Sequence, residues 1–145
     1  MPRKPPPSSP SSAAAVASAD HRRQSAIALK AAFSIAARWG LRDAQLGILL
    51  GGVPEPSLRR WKAQLRDSGG IRTELSRDQL DRVSYLLGIY KALHILFPDA
   101  GQADGWIHRA NTAPAFGGGS ALERMLGGGM DDLRMVRRYL DAWRG

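Results

Sequence analysis

The sequence predicts an all-α fold on three observations. Apolar residues recur three and four apart in several windows, as one face of a helix requires. Capping residues and Gly or Pro stand at the window ends, and no run alternates apolar with polar residues as a half-buried strand would. At 145 residues the chain can bury roughly two-thirds of its surface, so one or two small units need no covalent staple. The absence of Cys excludes a disulfide framework and a thiolate metal site, which fits a reducing cytoplasm.

The elements follow in order. Residues 1–23, opening Met1-Pro2-Arg3-Lys4 and rich in Pro, Ser and Ala, read as a disordered basic tail, because Pro and Ser break the apolar stretch that a signal peptide needs. A first helix from about Gln24 to Trp39 places Ile27, Ala31, Ile35 and Trp39 four apart as its inner face. A second begins near Arg42 or Asp43, turns Leu46, Leu49 and Leu50 inward, and ends at Gly51-Gly52, since Gly tolerates the positive φ of a C-terminal cap. A third follows Val53 with Leu58, Trp61 and Leu65 inside, and Ser68-Gly69-Gly70 closes this unit at about residues 24–70.

The second unit, residues 71–145, starts with a helix capped by Ser76, with Gln79 reaching back in a capping box. Leu80, Val83, Leu87 and Tyr90 line one face of it, and Leu86, Ile89, Leu93, Ile95 and Leu96 fill the others, so it is expected at the centre of the fold. A short helix around Asp104 to Ala110 carries Trp106 and Ile107, and another follows Ser120 with Leu122, Met125 and Leu126. The last, about Met130 to Trp143, has Asp131 and Asp132 in its first turn and Arg144 at its end, matching the macrodipole, with Leu133, Val136, Leu140 and Trp143 as its stripe. No apolar run approaches the roughly 18 residues of a membrane span.

Charge separates the two units. Residues 1–66 hold 11 Lys or Arg against 3 Asp or Glu, whereas residues 67–145 hold 10 of each, so the net +8 lies entirely in the first half. A polyanionic partner for that half alone follows from counterion release, with a merely solvated basic face as the plainer alternative.

Helices two and three have the proportions of a helix-turn-helix. A recognition helix packs its inner residues on the helix before it and shows its outer ones to base edges. With Leu58, Trp61 and Leu65 inside, Ser57, Arg59, Arg60, Lys62 and Gln64 remain as candidate DNA-binding residues: Arg can read guanine, Gln adenine, and Lys or Ser hold phosphate. Gly47 would permit close approach at the turn. The run Leu46-Gly47-Ile48-Leu49-Leu50-Gly51, then Val53 and Trp61, resembles the Xre class of phage-repressor-like helix-turn-helix proteins. Pro54 and Pro56 stand where such helices carry hydrogen-bonding residues, and Glu55 opposes phosphate.

The second unit carries a longer resemblance. Trp106-Ile107, Asn111, Phe116-Gly117, Ser120-Ala121-Leu122, Met125-Leu126, Gly128-Gly129, Leu133 and Val136-Arg137-Arg138-Tyr139-Leu140-Asp141 resemble the C-terminal toxin-binding domain of the Xre/MbcA/ParS antitoxins. Together the two resemblances cover about residues 25 to 145. They imply a bacterial, cytoplasmic type II antitoxin that neutralises a RES-domain, NAD-degrading toxin and represses its own operon. Arg137, Arg138, Trp143 and Arg144 are of types enriched at binding hot spots, and the family's obstruction of the toxin active site by the antitoxin C-terminus implies a toxin-binding role for them. Tyr139 and Leu140 read as core.

No catalytic site emerges. His21, His94 and His108 lie far apart with no metal-ligand spacing, and the adjacent Asp131 and Asp132 point in different directions from one helix. The glycine runs lack the Lys-Ser/Thr of a phosphate loop, and no Ser sits in a nucleophile elbow. Neither cofactor nor metal is expected. A homodimer is, because two-fold operators need two-fold readers, with the Ser76 helix as a candidate dimer face. The competing reading is a stand-alone helix-turn-helix transcriptional regulator whose C-terminal half only dimerises.

Overall fold

The computed structural model describes residues 10–145. Its first helix, α1, runs from Pro10 to Trp39, so the tail expected through residue 23 is helical from Pro10 onward, and residues 1–9 lie outside the described residues. The physical reason is local: Ala13 to Ala15 and Ala17 are the strongest helix formers, and Pro10 falls in the first turn where its missing N–H costs nothing. The side chains of residues 12–17 are all exposed, so this end of α1 projects beyond the body of the protein. Further along, Ser25, Ala26, Leu29, Ala32, Ile35, Ala36 and Trp39 are buried, while Ile27 is 69% exposed, against expectation. A strict four-residue spacing drifts about 40° around a helix at each step, and the true stripe alternates threes and fours.

The helix-turn-helix comprises α2 (Asp43–Leu49) and α3 (Glu55–Ser68). Leu46, Leu49 and Leu50 of the first and Leu58 and Trp61 of the second are buried as expected, with Leu65 half-buried. Gly51 and Gly52 take φ of 93° and 96° in the turn, a conformation that side chains resist. The Gly47 carbonyl accepts from both Gly52 and Val53 N–H (2.9 and 3.0 Å), which brings the returning chain so close that a Cβ at Gly47 would lie 2.3 Å from the Val53 carbonyl oxygen. Backbone cannot swing aside as a side chain can. Gly47→Ala is therefore expected to cost about 2 kcal/mol, read as a lowered urea midpoint with an unchanged slope.

Beyond α3, the core continues without interruption into the second unit. The central element is α4 (Arg77–Leu96), which packs on α1 along one side and on α7 (Met130–Arg144) along the other. Its N-terminus is closed by the expected capping box: Ser76 Oγ accepts from Gln79 N–H at 3.1 Å and Gln79 Oε1 from Ser76 N–H at 2.9 Å. Val83, Leu86, Ile89, Ala92 and Leu93 are buried on several sides of it, whereas Ile95 is exposed.

The next helix, α5, spans Ala100–Gly105 rather than Asp104 to Ala110, because Asp99 caps it by accepting from Gln102 N–H at 2.8 Å. Trp106–His108 continue it as a 3-10 turn, and a second such turn covers Pro114–Phe116. Helix α6 (Ala121–Met125) is capped by Ser120, whose Oγ accepts from Glu123 N–H at 3.1 Å. Among the described residues the only strand-like pairing is an isolated bridge between Ala110 and Ser120.

Candidate functional surfaces

The recognition-helix candidates divide into two groups. Arg59 and Arg60 are exposed, without a side-chain partner among the described residues, and Ser57, two residues before Arg59, is half-buried. Lys62 instead turns toward the rest of the unit: its Nζ lies 2.6 Å from Asp43 Oδ1 and 5.2 Å from the Phe33 ring centroid, fastening α3 to α2 and α1. Gln64 Oε1 accepts from Arg72 N–H at 3.1 Å and holds the loop after α3. Glu55 stands in the first turn, next to Pro54 and Pro56, with no side-chain cap. The outward cations of this surface are thus Arg59 and Arg60.

In the second unit, the C-terminal turns of α7 meet α4 and the α5 turn in an aromatic cluster. Trp106 and Phe116 are buried with their rings 5.9 Å apart, edge to face. Tyr139, half-buried, stacks on Trp106 at 6.1 Å and meets Phe116 edge-on at 5.0 Å, so with the fully buried Leu140 it serves the core. Trp143 closes the cluster from outside, 5.6 Å from Phe97 and 6.5 Å from Trp106, and remains 51% exposed. It is a large apolar group with one side fixed and the other side open.

The three C-terminal arginines have different settings. Arg137 lies flat over Gly88 of α4, where a Cβ would fall on its guanidinium, and its Nε donates to Asp141 Oδ2 at 3.0 Å. Arg144, one turn beyond, sits 3.8 Å from the same carboxylate, so Arg137, Asp141 and Arg144 share a helical face at i, i+4 and i+7. Arg138 is exposed on the solvent side. Earlier in α7, Arg134 Nε donates to the Tyr85 hydroxyl at 3.2 Å; that contact, then the Asp131 carboxylate, raises its pKa above the ordinary arginine value.

Sequence reasoning missed the residue that joins the two units. Arg82, 8% exposed, pairs with Asp78 at 2.8 Å and donates from Nη1 to Gly128 O at 2.9 Å and to Leu49 O at 3.4 Å. One guanidinium therefore links the end of α2, the first two turns of α4 and the glycine turn before α7. The available signal was Asp78 four residues before Arg82, the spacing of a helical ion pair. The histidines also bind within the fold: His108 meets Trp39 O at 2.7 Å, His21 meets Leu75 O at 2.7 Å, and His94 meets Asp104 at 2.8 Å, a pairing no sequence spacing foretold. Among the described residues no three His, Asp or Glu side chains converge as a metal ion would need, and no helix is long and apolar enough to cross a membrane.

Comparison with known proteins gives two matches in chain order. Residues 18–88 match the antitoxin Xre-like helix-turn-helix domain, a span that includes the second half of α1 and much of α4. Residues 92–145 match the antitoxin Xre/MbcA/ParS C-terminal toxin-binding domain. The chain is also 43% identical over 117 residues, 81% of its own length and 84% of the relative's, to the uncharacterized protein y4oB of Sinorhizobium fredii.

Proposed function

Because the chain belongs to the Xre/MbcA/ParS antitoxin family, we propose that it binds a RES-domain, NAD-degrading toxin, obstructs that toxin's active site with its C-terminal region, and represses its own operon as a homodimer. The observation that carries this reading is the exposure of two side-chain sets on different helices of one shared core: Arg59 and Arg60 on the recognition helix, and the open side of Trp143 near the C-terminal end of α7. The first surface suits DNA, where guanidinium groups hold phosphate or read guanine. The second suits a protein cleft, where a half-fixed Trp flanked by Arg138 and Arg144 has little rotamer freedom left to lose.

The decisive experiment is co-purification with the product of the adjacent gene, followed by an NAD-consumption assay. Neutralisation in a stable complex supports the reading. Operator binding without any effect on that neighbour supports instead a stand-alone regulator. In the complex, Trp143→Ala is expected to weaken toxin affinity about 30-fold, near 2 kcal/mol, as titration calorimetry would measure. Its own fold should change by less than about 1 kcal/mol, since half the ring is already in water.

A further inference from the structure

Resting on the reading of α3 as a DNA reader, we propose that the nucleic-acid surface extends past that helix onto α1, where Arg22, Arg23 and Lys30, joined to Arg60 through Arg72, form a track for the sugar–phosphate backbone. Two open troughs carry this. The first, about 440 Å³, runs along α1 between Ala19 and Lys30 with the Gly69–Ile71 loop as its other wall, and Arg22, Arg23 and Lys30 line it with no carboxylate. The second, about 400 Å³, is lined by Arg60, Arg72 and Asp67, and it meets the first at Gly70 and Ile71. The recognition helix and the outer face of α1 thus both border the Gly70–Ile71 loop.

The charge on that surface is largely uncompensated. Asp67 is engaged by Arg66, and Asp20 by Arg23. Among the described residues Arg22, Lys30, Arg60 and Arg72 meet no carboxylate. In the second half the opposite holds for most cations: Arg77, Arg82, Arg124, Arg134, Arg137 and Arg144 all contact Asp side chains. A protein holding an unneutralised run of cations beside a recognition helix carries a standing self-repulsion that a row of phosphates would relieve. The spacing fits such a row. Arg23 and Lys30 are about 11 Å apart along α1 at 1.5 Å per residue, close to the axial rise of about three phosphates on one strand. Both troughs are open, and Gly70 adds no side chain to their shared wall, which suits an extended backbone and not an enclosed small molecule.

The test uses the full chain, its operator duplex and an unrelated duplex of equal length, with affinities measured from low to moderate salt. Arg22→Gln combined with Lys30→Gln is expected to weaken both duplexes by the same factor, about tenfold or more near physiological salt, leaving the operator preference unchanged. The slope of log affinity against log salt should become shallower by about two. Arg72→Gln alone should remove about one, and thermal melts confirm that each variant is folded. An unchanged slope, or a loss confined to the operator, overturns the proposal. So does an unchanged slope with weakened toxin binding, which would assign the track to the partner protein. Failure of the unaltered chain to bind its operator would instead overturn the reading of α3, an outcome distinct from a variant that binds as well as the parent.

Discussion

Trp61→Ala is expected to destabilise the protein by about 4 kcal/mol and to lower its melting temperature by on the order of 10 °C. The indole is buried among the apolar residues that join α3 to the rest of the molecule, and its Nε1 donates to Thr73 Oγ1 at 3.1 Å, tying α3 to the loop that leads into α4. Removing it leaves a void that α1 and α2 cannot close, because Lys62 and the Gly47 turn hold α3 in place. Chemical denaturation checks the value, and Trp61→Phe, which keeps most of the volume, should recover over half of it. A loss below about 1 kcal/mol would mean that Trp61 does not anchor the recognition helix.

Replacing Arg59 and Arg60 together with Ala is expected to reduce operator affinity about 100-fold or more, since each exposed guanidinium is placed to give about 1–3 kcal/mol in a base or phosphate contact. Neither side chain is used inside the fold, so the melting temperature should barely move. Fluorescence anisotropy on the operator supplies the first measurement and toxin co-purification the control, which should be unaffected. The same exchange at Lys62 has a mixed result for a structural reason: it would also release Asp43 and uncover Phe33. A variant there loses stability together with any DNA contact.

The capping box at Ser76, the Gly51-Gly52 turn and the inner faces of α2 and α3 were legible because each rests on a local rule: a side chain reaching three residues along, a positive φ, a helical period. The overhanging start of α1 is not legible from composition, because Pro and Ser near the terminus favour a tail while the alanines favour a helix, and Ile27 faces outward because a strict four-residue spacing drifts round the helix. In the candidate site, the outward turn of Arg59 and Arg60 could be read from the period. The inward use of Lys62 and Gln64 could not, because it depends on Asp43, Phe33 and Arg72, which reach them only through tertiary packing. Arg82 and the pairing of His94 with Asp104 were hidden for the same reason.

The long helix α4 belongs to both halves: α1 covers one side of it and α7 the other, while Arg82 ties its interior to Leu49 and Gly128. A hybrid made by exchanging front ends between relatives at Gly70 would strip α1 of its neighbour and strand a buried guanidinium against a foreign carbonyl. A cut after Phe97 would fare no better, because α7 would lose its own α4 and Arg82 its own Gly128 carbonyl, so the two halves must be inherited together with the spine they share.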